Sequence, residues 1–307
     1  MGKRGIVMRF PDLAPYLACL CSFLLADRIE LSGLRLFFGC NRRKMPEGQE
    51  IQGRRPWSRD ELILTLSVYF QLPFGRLNHG TPEVMELARI IGRTNNSAAL
   101  RLVNFAACDP YIINSGRTGM PAGIPVCKPI WDEFAGDKER LFMEAQRIKA
   151  EMLQKTIEET LHITQTELEG RERETVIRQR VNQSVFRTMI LQNYENKCAV
   201  TGINIPDLLV ASHIIPWAES SAQEKLSPDN GICLSSLYDK AFDRGLITIS
   251  PDDYSICLSS ALREYETKEY FDQHFGSIAG KKIIMPIEHY PNRDYLAYHR
   301  DNIFRGV

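Results

Sequence analysis

The chain has 307 residues, more than one ordinary core needs, so two domains with connecting material are expected. Its 44% hydrophobic and 25% charged residues are those of a globular protein, which excludes fibrous and wholly disordered classes. The 38 basic residues balance 38 acidic ones, so net charge announces no nucleic-acid partner and the distribution of charge has to carry that question.

At the N-terminus, Lys3, Arg4 and Arg9 precede an apolar run over 13–26. A signal-peptide hydrophobic region is one reading of it. Against that, Asp12 sits at its start, no small-x-small cleavage site follows, and the run is short for a bilayer. A packed helix or an upstream extension, with no membrane span, is the preferred reading. The stretch 41–56 (NRRKMPEGQEIQGRRP) reads as a linker, which closes an N-terminal extension over 1–55. The eight cysteines are scattered with no C-x-x-C pair, which argues against structural zinc and for reduced thiols in a cytoplasmic protein.

A helical domain is expected over 56–112. Trp57-Ser58-Arg59-Asp60-Glu61-Leu62 is a helix start, with Ser58 as cap, Glu61 closing a capping box and Trp57 stapled onto Leu62. A second helix opens at Thr81-Pro82, buries Val84, Leu87, Ala88 and Ile91, and ends at Gly92. A short turn follows, then a third helix with Ala98, Leu102 and Phe105 inward, which is a helix-turn-helix pattern. Asn95, Asn96 and Arg101 would face outward toward DNA, in a stretch (89–104) with three arginines and no acid. A small bundle without DNA contact is the competing reading.

Residues 113–174 are expected to form a helical linker. Between 132 and 170 ten acids face five bases, and Leu141, Ala145, Ile148 and Met152 have heptad-like spacing, so a spacer or a helix joining a homodimer fits. The stretch 171–195 is again helical, with Val185, Met189 and Ile190 packing and Arg178, Arg180 and Arg187 outward, where they can follow a phosphate backbone or simply be solvated.

The last region, 175–307, carries the chemistry. A β-branched, leucine-rich run over 208–215 contains His213, a loop ends at Asn230-Gly231, and a short helix spans Ser236 to Asp243. A hairpin follows over 246–258, then a terminal amphipathic helix whose His299 and Arg300 either reach DNA or close the domain. The segments Cys198-Ala-Val-Thr-Gly202, Ala211-Ser-His-Ile-Ile-Pro-Trp217, Asn230-Gly-Ile-Cys-Leu234 and Phe242-Asp-Arg-Gly-Leu-Ile-Thr-Ile249 resemble, in order, the HNH endonuclease family, most of all its bacterial restriction-type members.

The resemblance implies a ββα-metal fold in which His213 is the general base and Asn230 holds the loop that orients it. It also implies a divalent metal, magnesium or manganese, bound by a residue of the short helix. Where the family's last histidine stands this chain has Asp239, a suitable ligand for a hard cation. In front of His213, where many members place a ligand, it has Ser212. Asp243, four residues beyond Asp239, can complete the shell from the same helix face or equally pair with Arg244 or cap the helix, and Arg244 can contact phosphate. The expected fold class is therefore α+β: a helix-turn-helix-like helical domain, a helical linker and a C-terminal HNH nuclease domain. DNA is the expected substrate and defence the expected setting. A DNA-binding protein with a degenerate HNH module competes, and an extracellular nuclease ranks third.

Overall fold

A computed structural model describes residues 55–163 and 170–306. The N-terminal run over 13–26 and most of the expected linker over 41–56 lie outside the described residues.

The first helix, α1 (Arg59–Tyr69), starts where the capping chemistry puts it. The Ser58 hydroxyl accepts the Glu61 N–H, and the Glu61 carboxylate accepts the Ser58 N–H at 2.9 Å. That carboxylate is only 3% exposed and also receives two hydrogen bonds from Arg93, at 2.8 and 2.9 Å, with Arg55 as a second cation. Arg93 thus belongs to the core, lying over the Trp57 ring at 4.2 Å, and is lost to the basic surface expected over 89–104. Helix α2 (Pro82–Ile91) ends at Gly92, whose φ of 64° is the left-handed geometry that glycine adopts without strain. Helix α3 (Asn95–Ala106) is capped by the Thr94 hydroxyl, with Ala98, Leu102 and Phe105 fully buried.

After α4 (Pro110–Asn114), helices α5 (Ile124–Phe134) and α6 (Lys138–Met152) complete the same core: Ile130, Phe134, Leu141, Ala145 and Ile148 pack with Leu66, Leu102 and Phe105. The heptad-like stripe of α6 is therefore spent inside this chain, with only Met152 left exposed, and it offers no seam to a second copy. The helical linker expected over 113–174 is divided among separate helices, and after α6 ends at Met152 a single turn, α7 (Ile157–Thr160), follows.

Helix α8 (Gly170–Asn193) buries two stripes. Ile177, Val181, Val185 and Met189 pack with Phe142 of α6, while Phe186 and Ile190 enter the C-terminal core. That second core is built on strands β1 (Leu209–His213) and β2 (Gly231–Ser235), antiparallel with His213 opposite Gly231 and Leu209 opposite Ser235. Between them lies one turn of helix, α9 (Ala222–Lys225). Helix α10 (Ser236–Asp243) follows β2 directly, then the hairpin β3 (Ile247–Ile249) and β4 (Ile256–Leu258), helix α11 (Glu269–His274) and helix α12 (Arg293–Asn302), which closes over β3. The fold is α+β, helix-rich with two small two-stranded sheets. No described helix is long and apolar enough to cross a membrane.

Two outcomes follow from this packing. Glu61→Ala is expected to destabilise by about 3–5 kcal/mol, because it leaves Arg93 buried without its partner. Burial pushes the Glu61 carboxyl up, but Arg93 and the Ser58 N–H outweigh this and hold it below the usual range. Its contribution is therefore present above the unfolded carboxyl pKa and lost as pH falls through the lower folded value, so urea unfolding of wild type and variant should converge in acid. At Gly231 a Cβ would lie 2.3 Å from Ile190 Cδ1 and 2.7 Å from Phe186 Cζ. Since both side chains are buried, Gly231→Ala is expected to cost about 1–3 kcal/mol in the same assay.

Candidate functional site

His213 ends β1 and is half-buried. Its ring stacks on Phe186 of α8, with centroids 3.6 Å apart and planes 12° from parallel, and meets Trp217 edge-on at 5.4 Å. Burial lowers its pKa to about 4, which the Lys225 carbonyl opposes and the Lys225 ammonium reinforces. At neutral pH the imidazole is uncharged. Its Nε2 lies 3.3 Å from the Lys225 carbonyl. A carbonyl only accepts, so Nε2 carries the proton and Nδ1 keeps the lone pair.

Asn230, fully buried, fixes both sides of that arrangement. Its Oδ1 accepts the Ile215 N–H at 2.9 Å and its backbone carbonyl accepts the Ile214 N–H at 3.0 Å, which pins the chain just after His213. Its Nδ2 donates toward the Glu224 carbonyl at 3.2 Å and the Ser220 hydroxyl at 3.3 Å, which pins the turn that presents the Lys225 carbonyl. One side-chain amide thus ties the histidine's strand to the histidine's hydrogen-bond partner.

Asp239 and Asp243 stand four residues apart on α10, half-buried and exposed respectively. The Asp239 carboxyl is raised by burial first and then by the charge of Asp243, with the Ser212 hydroxyl opposing. Asp243 is raised by burial, with Lys240 and Arg244 opposing. Ser212 is 3% exposed, and its buried Oγ has no hydrogen-bond partner of good geometry. The donor chemistry suits a hard divalent cation: two oxygen ligands that repel one another and an unsatisfied hydroxyl beside them. Among the described residues no group of three or more His, Cys, Asp or Glu side chains converges on a common point. The electrostatics of His213 are set by burial and Lys225, and those of Asp239 by burial and then by Asp243.

The other candidates are dispersed. Asn96 is exposed and Asn95 half-buried at the start of α3, but Arg101 turns inward against the Trp57 ring at 4.7 Å, with its Nε buried and unpaired. Its long stem is cheaper to bury over an indole than to leave on the surface. Arg180 is exposed on α8. Arg187 donates to the carbonyls of Leu209, at 2.7 Å, and Pro206, at 3.2 Å, so its guanidinium already braces the entry to β1. Arg244 is exposed at the end of α10, beside exposed Lys240, which sequence reading passed over. His299 is 1% exposed, held between the Thr248 hydroxyl and the Phe242 carbonyl, and cannot reach DNA from there.

Sequence reading also missed Phe186 under His213 and the Lys225 carbonyl. The only signal for Phe186 was an aromatic residue one position off the apolar stripe of α8, and a backbone carbonyl leaves no signal at all.

No curated protein matches the chain. A family model described as HNH endonuclease matches residues 198–250, a segment that runs from Cys198 through β1, Asn230 and α10 to the end of β3. Through that segment the chain is similar to the HNH endonuclease family.

Proposed function

We propose that this protein is a metal-dependent DNA endonuclease that uses His213 as general base and acts in restriction or anti-phage defence in the cytoplasm. The observation that carries the reading is the fixed tautomer of His213. With Nε2 spent on the Lys225 carbonyl and the ring uncharged, Nδ1 is ready to take a proton from the water that attacks phosphorus. Asn230 is the orienting residue, because it holds both the strand and the carbonyl. Asp239 and Asp243 would hold a magnesium or manganese ion, which when bound supplies charge stabilisation to the phosphate. Arg244 and Arg180 are exposed and fit phosphate contacts.

The helical part, 56–112, would hold the duplex through Asn95 and Asn96 at the start of α3, with 113–174 joining it to the nuclease part over 175–307. Arg101 and Arg187 are better explained as structural, since their guanidinium groups are already engaged. The five described cysteines form no disulfide, which fits reduced thiols in the cytoplasm. A second reading, a DNA-binding protein with a degenerate HNH module, is favoured by Ser212 at a ligand position and by the incomplete donor set.

Incubation of supercoiled and base-modified DNA with magnesium, manganese or chelator separates the two. Metal-dependent cutting that falls by about 10²–10⁴-fold in His213→Ala is the expected result; binding without cutting on every substrate and metal establishes the degenerate module. The depressed pKa of His213 also sets the acid limb. Because the base must be unprotonated and titrates at about 4, the single-turnover rate should change by less than about twofold between roughly pH 7.5 and 5.5. An unperturbed imidazole would lose about tenfold over the same interval.

A further inference from the structure

Where the helical part meets the HNH part there is a cavity of about 320 Å³, bordered by Phe70, Trp131, Lys138, Asp229 and His289. Its aromatic faces are already covered by the chain's own side chains. Lys138 lies over Phe70 at 5.0 Å, Arg117 over Phe74 at 5.3 Å, and His289 stacks on Tyr111 at 5.0 Å. Such a seam is built to connect, and the connection runs through residues 287–289.

Asn193, at the end of α8 and 1% exposed, clamps that segment. Its Oδ1 accepts the N–H groups of Glu288 and His289 at 3.1 and 3.2 Å, and its Nδ2 donates to the His289 carbonyl at 2.7 Å. Clamped so, the two side chains diverge. The Glu288 carboxylate, 5% exposed, accepts the Phe74 N–H at 2.6 Å and pairs with Arg117 at 2.6 Å, both in the helical part. His289 Nδ1 lies 3.4 Å from the Asp229 carboxylate, and the Asp229 carbonyl accepts the Asn292 N–H at 3.0 Å. Asp229 immediately precedes Asn230.

We propose that residues Glu288 and His289 form a strap that couples the seating of the helical part to the loop carrying Asn230, which makes His289 and Asp229 positioning residues for His213. The catalytic part of this inference rests on the nuclease reading above, while the mechanical part does not. A helical part that shifts on DNA would pull on Glu288, and the strap passes the displacement to Asp229 and so to the amide that orients the base.

The test uses full-length protein and the variants Arg117→Gln, Glu288→Ala, His289→Ala and His289→Gln, with Lys128→Ala, from an exposed pair elsewhere, as control. Amide hydrogen exchange is read at Ile214 and Ile215, which Asn230 holds. Exchange there is expected to rise about tenfold in the first three variants, with the α1 to α3 core and the control unchanged. Cleavage at saturating DNA is expected to fall about tenfold while DNA affinity stays within about twofold, and His289→Gln, which keeps a donor toward Asp229, to recover part of the loss. Unchanged exchange at Ile214 and Ile215, or exchange that rises equally throughout the α1 to α3 core, overturns the coupling. Arg117 is partly exposed, so its variant tests the proposal even if Glu288→Ala fails to fold. If the wild-type protein does not cut DNA, the nuclease reading falls and the exchange data still decide the strap.

Discussion

Helix α8 has to bury two faces at once, and that requirement sets the layout of everything from Arg55 onward. Successive helical residues are rotated by about 100°, so Val185 and Phe186 cannot serve the same neighbour. Val185, with Val181 and Met189, goes to Phe142 of α6, while Phe186 and Ile190 go under the β1 and β2 hairpin. The hairpin can come that close only because Gly231 has no side chain. His213 is therefore stacked on a ring belonging to a helix whose other face is fixed in the helical part. Movement of one part without the other would open one of two apolar interfaces, each made of fully buried side chains.

Two histidines of the C-terminal part show what distinguishes a structural imidazole from the proposed base. His213 and His299 each stack on a phenylalanine at 3.6 Å, and burial lowers each to a pKa of about 4. Burial acts on both in the same direction, but their hydrogen bonds differ. His299 spends both nitrogens, Nε2 on the Phe242 carbonyl and Nδ1 on the Thr248 hydroxyl. His213 spends only Nε2. Burial alone would have singled out both, so it is the unspent Nδ1, at the strand end that Asn230 secures, that marks His213.

The elements were legible where a local rule sets them. Ser58 with Glu61, Pro82 with Gly92, and the strand, loop and short-helix order around His213 and Asn230 are decisions taken within a few residues, and the helix over Ser236–Asp243 stands where it was read. What escaped is what tertiary packing decides. Arg101 looked outward on a helical wheel, yet Trp57, more than 40 positions earlier, draws its guanidinium inward. Arg187 looked like a phosphate contact until the carbonyls of Pro206 and Leu209 claimed it. The α6 stripe looked like a seam for a partner, and the α1 and α5 side chains fill it. The strap of Glu288 and His289 carries no motif, since its meaning lies in which distant backbone groups it meets.

The departure at Asp239 changes the charge of the site more than its geometry. A neutral imidazole at that position would bring no negative charge, whereas Asp239 and Asp243 together bring two, enough to offset a divalent cation. Burial raises the proton affinity of both, and the charge of Asp243 raises that of Asp239 further. Ser212 removes a donor from the neighbouring strand but leaves its buried hydroxyl unsatisfied. Charge is thus retained at the same place where coordination number is lost. On the proposed reading that combination would suit an ion that keeps several waters over one that needs a complete protein cage, which favours magnesium or manganese over zinc.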